Sequence, residues 1–192
     1  MTKRILLAGV VGGLALFLWG GLSHMVLGLG EAGMQYLPQQ QPVMQALQSS
    51  VPQPGFYVFP QGDKAGNLPA EQVGGAHGLL IYQPTGASAM RPSQLVNEAM
   101  LDIILALLAA YLLSKAPGLS GYGARIGFVA VVGLIAALMT HVEYWNWYEF
   151  PTTYTVANIF DNVLGFLIVG LCAGAFVKPA PATVITMPAK AA

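Results

Sequence analysis

Charge is what this sequence lacks. Only 8% of its residues are Asp, Glu, Lys or Arg, against about 25% in a soluble globular domain. A chain this poor in charge cannot cover itself with a water-soluble surface, and 55% hydrophobic content excludes disorder, because disordered chains are poor in apolar residues. The formal net charge is zero, so nothing in the charge balance points to nucleic acid or an acidic partner. Cysteine is almost absent. Cys172 stands alone in an apolar run, so no disulfide can close within the chain and no Cys-x-x-Cys or Cys/His metal spacing exists. Neither His-Glu-x-x-His nor the helical Glu-x-x-His of di-iron bundles occurs. No motif names a reaction, and no catalytic residue or cofactor is expected.

What is present is apolar length. The mean hydropathy is +0.61, and four stretches approach the roughly 20 apolar residues that cross a bilayer: about 5–29, 95–113, 126–145 and 156–177. Pro117, Gly118 and Gly121 break the chain between the second and third, Pro151 between the third and fourth, and Pro179 ends the fourth. The fold class expected is an all-α membrane bundle of four transmembrane helices, one domain over residues 1–178. The Ala/Pro-rich residues 179–192 read as a disordered tail. The opening Met1-Thr2-Lys3-Arg4 and its apolar run resemble a signal peptide. That run outlasts a signal core of about 7–15 residues and lacks a small-residue cleavage site, so an uncleaved helix is expected.

Lysine and arginine orient the bundle. With four spans the amino terminus, the 114–125 loop and the tail share one side, which holds Lys3, Arg4, Lys115, Arg125, Lys178 and Lys190. The longer opposite side holds only Lys64 and Arg91. Both termini are therefore expected in the cytoplasm, and residues 30–94 outside it. All eight acidic residues and all three histidines fall on the outer side. Ionisable chemistry, if there is any, belongs to that face.

The outer loop is too long for a plain connector. Pro42–Ser50 reads as a weakly amphipathic turn or two suited to a membrane surface. Gly55–Phe59 and Gly78–Tyr82 read as short strands, a hairpin that would be marginal alone and should rest on the bundle or on a partner.

Charged groups within a membrane are costly and usually face the bundle interior. Glu98 and Asp102 are four residues apart on one face of the second span. Asp161 in the fourth span is flanked by Asn158 and Asn162, and the first and third spans bring His24, Thr140, His141 and Glu143. The candidate cluster is His24, Glu98, Asp102, His141, Glu143 and Asp161. Imidazole with carboxylate suits divalent metals or proton transfer; the same groups can instead fix helix packing by hydrogen bonds, the reading the sequence favours. The aromatic run His141–Pro151, with Tyr144, Trp145, Trp147 and Tyr148, reads as an interfacial belt, beside which a quinone, lipid or sterol could bind. Gly9-x-x-x-Gly13, Gly170-x-x-x-Gly174 and Ala106-x-x-x-Ala110 predict close helix crossings, within the bundle or with a membrane partner. Trp19 is expected to be packed.

The segments Phe17–Leu27, Pro54–Pro60 and Trp145–Thr155 resemble uncharacterised four-helix membrane proteins of bacteria. The resemblance implies a four-helix topology and a bacterial origin, and brings no catalytic residue; with the four spans, the bacterial inner membrane is the expected location. The function expected is that of a structural or accessory subunit docking a partner through its outer loop. The alternatives are a proton, ion or small-molecule transport protein using the outer His/carboxylate layer, and an enzyme with a periplasm-facing metal site.

Overall fold

A bilayer core offers no water to an unpaired peptide group, so spanning segments close their hydrogen bonds internally as helices. The computed structural model describes residues 2–85 and 90–181 and contains four helices long and apolar enough to cross a membrane: α1 (Thr2–Met25), α3 (Pro92–Ser114), α4 (Tyr122–Tyr148) and α5 (Thr152–Phe176). Between α1 and α3 the chain forms a short helix, α2 (Gln40–Ser50), and two strands, β1 (Gly55–Phe59) and β2 (Gly78–Tyr82). The strands pair antiparallel, with Phe56 opposite Ile81 and Val58 opposite Leu79. The expected hairpin therefore forms, and the expected amphipathic turns are a helix of 11 residues.

The helix ends differ from the sequence reading. α1 stops at Met25, four residues before the expected Leu29, because Val26 and Leu27 N–H both fold back to the Leu22 carbonyl and Gly28 turns left-handed at φ 66°. α3 begins earlier, at Pro92, a residue whose missing N–H is harmless in a first turn; the Arg91 backbone N–H, just ahead of that turn, donates to Gln94 Oε1 at 2.9 Å. α4 is longer than its apolar count at both ends, and Leu138–Val142, in its second half, is a π-helical turn. Of the tail expected to lack structure, Ala180 still accepts a hydrogen bond from Gly118 N–H at 3.1 Å; residues 182–192 lie outside the described residues.

α1 packs against α3 and α5, α5 packs against α4, and α3 meets α4 only lightly. The side chains at these seams are mostly small. Ala8, Ala106, Ala109, Ala110, Val129, Val169 and Ala173 form the core together with Leu113, Phe166 and Val177. A Cβ on Gly13 would strike the Ile103 backbone and one on Gly9 the Leu107 side chain. On the opposite seam, a Cβ on Gly170 would stand 3.1 Å from the Ile126 carbonyl and one on Gly174 3.2 Å from the Tyr122 ring. The close partners expected for both Gly-x-x-x-Gly faces are thus the chain's own α3 and α4, and these faces are covered. The outward faces carry Leu6, Leu18, Leu108, Ile135 and Phe160 uncovered, as a lipid-facing surface requires.

Replacing Gly13 by leucine forces α1 off α3, and such overpacking should destabilise the bundle by about 1–3 kcal/mol. Gly20 has nothing within 4 Å of where a Cβ would stand, so Gly20→Leu should leave stability nearly unchanged. Thermal unfolding of both variants in mild detergent checks the contrast, and equal midpoints would contradict the packing.

Candidate functional site

At the end of the bundle that carries the long loop, polar side chains couple the helices in pairs. His24 closes the last turn of α1, and its Nε2 lies 3.3 Å from Asp161 Oδ2 on α5. Trp19, one to two turns earlier on α1, donates from Nε1 to the Asp161 backbone carbonyl at 3.3 Å. Trp19 is packed, as expected, and it also anchors the same α5 residue. The second coupling joins α4 to α5: Asn162 Nδ2 lies 3.2 Å from His141 Nε2 and 2.9 Å from the Asn158 carbonyl. A carbonyl only accepts, so the second contact fixes the Asn162 amide. His141 Nε2 then accepts, which places the imidazole proton on Nδ1. That Nδ1 and Asp161 Oδ1 are both buried without a partner among the described residues.

The π turn explains how His141 reaches α5. Arg125, Val129, Gly133 and Ala137 are the buried residues of α4 ahead of that turn, one every fourth position. In an α-helix every fourth residue overshoots a full turn by about 40°, so this row drifts around the helix. A wider turn with i→i+5 bonds winds more slowly and returns His141, the next member, toward the partner helix.

The other cluster residues do not join these pairs. Asp102 is covered on the core face of α3, in line with Ala106, Ala109 and Leu113, and makes no ion pair with a described residue. It also sits deeper than Asp161. Ile103 packs on Gly13 whereas Asp161 bonds Trp19, and six residues of α1 correspond to about 9 Å. Glu98 and Glu143 are exposed. Among the described residues no three His, Cys, Asp or Glu side chains gather as metal ligands, so the geometry offers the metal-centre reading no ligand set.

A second constellation lies where the loop meets the bundle. Glu149 occupies the turn between α4 and α5 in a left-handed conformation, φ 55°, and its Oε2 lies 3.0 Å from His77 Nε2. His77 directly precedes β2, so this contact ties the hairpin to the bundle. Its partner was not legible in sequence, because the two residues are 72 positions apart. Below the hairpin, Phe150 stacks on Tyr144 with centroids 5.3 Å apart and tilts against Tyr154 at 5.4 Å. The belt residues Tyr144, Trp145, Trp147 and Tyr148 are all exposed; Trp145 Nε1 donates to Thr152 Oγ1 at 3.1 Å, bracing the turn. A cleft of about 530 Å³ separates the hairpin from this aromatic floor. A second of about 400 Å³ runs from Val58 and Leu79 to His77, Asp63, Trp147 and Glu149. Asp63 is held below the usual carboxylate range by hydrogen bonds, first from the Asn67 side chain and then from backbone N–H groups.

Comparison with protein-family models, with curated proteins and with solved structures finds no match to the chain.

The hydrogen bond to Glu149, followed by the Gly75 carbonyl and the Glu149 charge, raises the His77 pKa above its ordinary value. The folded-state value exceeds the unfolded one, so the tether is fully formed below the unfolded pKa and fades as pH rises through the folded pKa. Titration of the His77 imidazole resonances should give a midpoint above that of a free histidine, and Glu149→Gln should lower it. An unchanged midpoint in that variant would show the contact to be absent in solution.

Proposed function

We propose that this protein is an accessory subunit of a membrane complex, held in the bacterial inner membrane with both termini in the cytoplasm and docking its partner through the outer loop. The orientation is supported by the six-to-two sorting of lysine and arginine. The observation that carries the docking reading is an uncovered apolar stretch just after α1. There Tyr36 is 93% exposed, Met34 60% and Leu37 53%, in a segment pinned to the bundle. Gly33 (φ 82°) lies against the start of α5, where a Cβ would stand 2.9 Å from Tyr154 N, and only a glycine adopts both that angle and that approach easily. A Met/Tyr/Leu patch anchored at Gly33 matches the composition of interface cores, which favour aromatics and Met. Helix α2 follows at once with no buried residue of its own, extending the surface a partner could cover.

The protein purified in mild detergent should retain one specific complex, and Tyr36→Glu with Leu37→Glu should release it while leaving thermal stability unchanged. Behaviour as a lone monomer in every mild detergent would sink the docking reading.

A second reading, proton or ion handling, is favoured by one observation: a donor, His141 Nδ1–H, and an acceptor, Asp161 Oδ1, are left over in the layer that also holds His24. A relay needs such groups on adjacent helices. Flux into liposomes would be abolished by Asp161→Asn and slowed by Asp102→Asn if this reading holds; wild-type flux in both variants would remove it.

A further inference from the structure

The alternation of the hairpin places Phe56 and Val58 of β1 and Leu79 and Ile81 of β2 on one face. That face is apolar throughout and is not packed against the bundle: Ile81 is 80% exposed, Val58 65% and Phe56 62%. It forms the roof of the larger cleft, whose floor is Tyr144, Phe150 and Pro151. The roof is a two-stranded ribbon, and the floor is fixed by ring stacking. The space between is a slot of about 530 Å³, within the roughly 300–1,000 Å³ of small-molecule sites.

Two features of this slot identify its occupant. First, it opens where α4 leaves the membrane. Tyr144, Trp145, Trp147 and Tyr148 mark the headgroup level, and the outward face of α4 runs directly down from it through Met139 and Ile135, both uncovered. The floor of the slot and this exposed face thus belong to the same helix at the headgroup level, where the apolar molecule at hand is a lipid chain. Second, the polar end of the slot has one sign of fixed charge. The adjoining smaller cleft shares Leu79, Tyr148 and Glu149 with the larger and adds His77 and Asp63. Among the described residues no lysine or arginine lines either cleft. Even with His77 protonated against Glu149, the Asp63 carboxylate leaves this mouth negative, so it disfavours an anionic headgroup and accepts an ammonium.

We propose that the space between the hairpin and the α4–α5 turn binds one amine-headed membrane lipid, its acyl chain between the β-ribbon and the aromatic floor and its ammonium beside Glu149 and Asp63. The lipid completes the packing that a two-stranded hairpin lacks by itself. The site is separate from the Met34–Leu37 patch, so a protein partner and the lipid can bind together.

The test uses the full chain in vesicles containing a phosphatidylethanolamine whose acyl chain carries a photoactivatable diazirine, with the matching phosphatidylglycerol probe in parallel. Photolysis followed by peptide mapping should place adducts on Phe56–Phe59 and Gly78–Tyr82. The ethanolamine probe should label them about fivefold more than the glycerol probe, the size expected of an exposed charge contact of about 1 kcal/mol. Ile81→Glu should remove hairpin labelling while labelling of α1 and α4 persists, and Glu149→Gln should reduce the headgroup preference without abolishing labelling. Equal labelling by the two probes would mean bulk lipid only and would overturn the proposal. So would adducts confined to the spanning helices in the wild type. Should Ile81→Glu unfold the hairpin, the headgroup comparison in the wild-type protein decides by itself.

Discussion

Helices in a bilayer are not driven together by hydrophobic burial, since lipid tails are as apolar as the side chains they would replace; close van der Waals fit has to do that work. Here the fit depends on backbones that touch. Gly9 and Gly13 let α1 settle onto Leu107 and Ile103, and Gly170 and Gly174 let α5 settle onto Ile126, Tyr122 and Arg125. Phe166 fills the notch at Gly133 from the other side. The small core residues between these contacts follow from the same constraint, because a larger residue at Ala106 or Ala173 would hold apart the backbones that the glycines bring together. This is also why α3 and α4 remain loosely joined, with no comparable pair of notches between them.

The two ends of the bundle are held by different means. At the end that bears the termini, contacts are apolar, join side chain to backbone, or set a cation over a ring. Tyr122 donates to the Leu171 carbonyl, and the Arg125 guanidinium donates to the Ser120 carbonyl while lying over the Tyr122 ring. At the opposite end, side chains pair with one another across helices, His24 with Asp161 and His141 with Asn162. The first end can be packed and dry. The second keeps polar groups within reach of headgroups and water, and the loop adds its hairpin and aromatic floor there.

Much of this was written in the sequence where the signal is local. Apolar length gave the four spans, alternation gave both strands, and small-residue spacing gave the tight seams, though not which helix would meet which. Helix ends were harder, because hydropathy does not register a fold-back such as Val26 and Leu27 onto Leu22, or a proline that starts α3. The polar cluster was legible only as residue types at one end of the bundle. Depth along separate helices decides which groups meet, and it sets Asp102 apart from Asp161 while pairing His24 with it. The π turn at Leu138–Val142 and the long-range His77–Glu149 contact carry no local signature at all. One depends on the partner helix, and the other on how a 66-residue excursion returns to the bundle.

That excursion also bears on the order in which the fold can be assembled. Glu149, Phe150 and Pro151 are all that separate α4 from α5, so this pair can close as a helical hairpin with little loss of chain entropy. The α1–α3 seam has to close a loop spanning residues 26–91, a larger though slowly growing entropic cost. α5 offers a preformed wall on which α1 can dock, through Leu16 and Trp19 against Gly165. The three-residue turn that holds Glu149 in its left-handed conformation thereby gives α4 and α5 the lowest closure cost of the tightly packed seams.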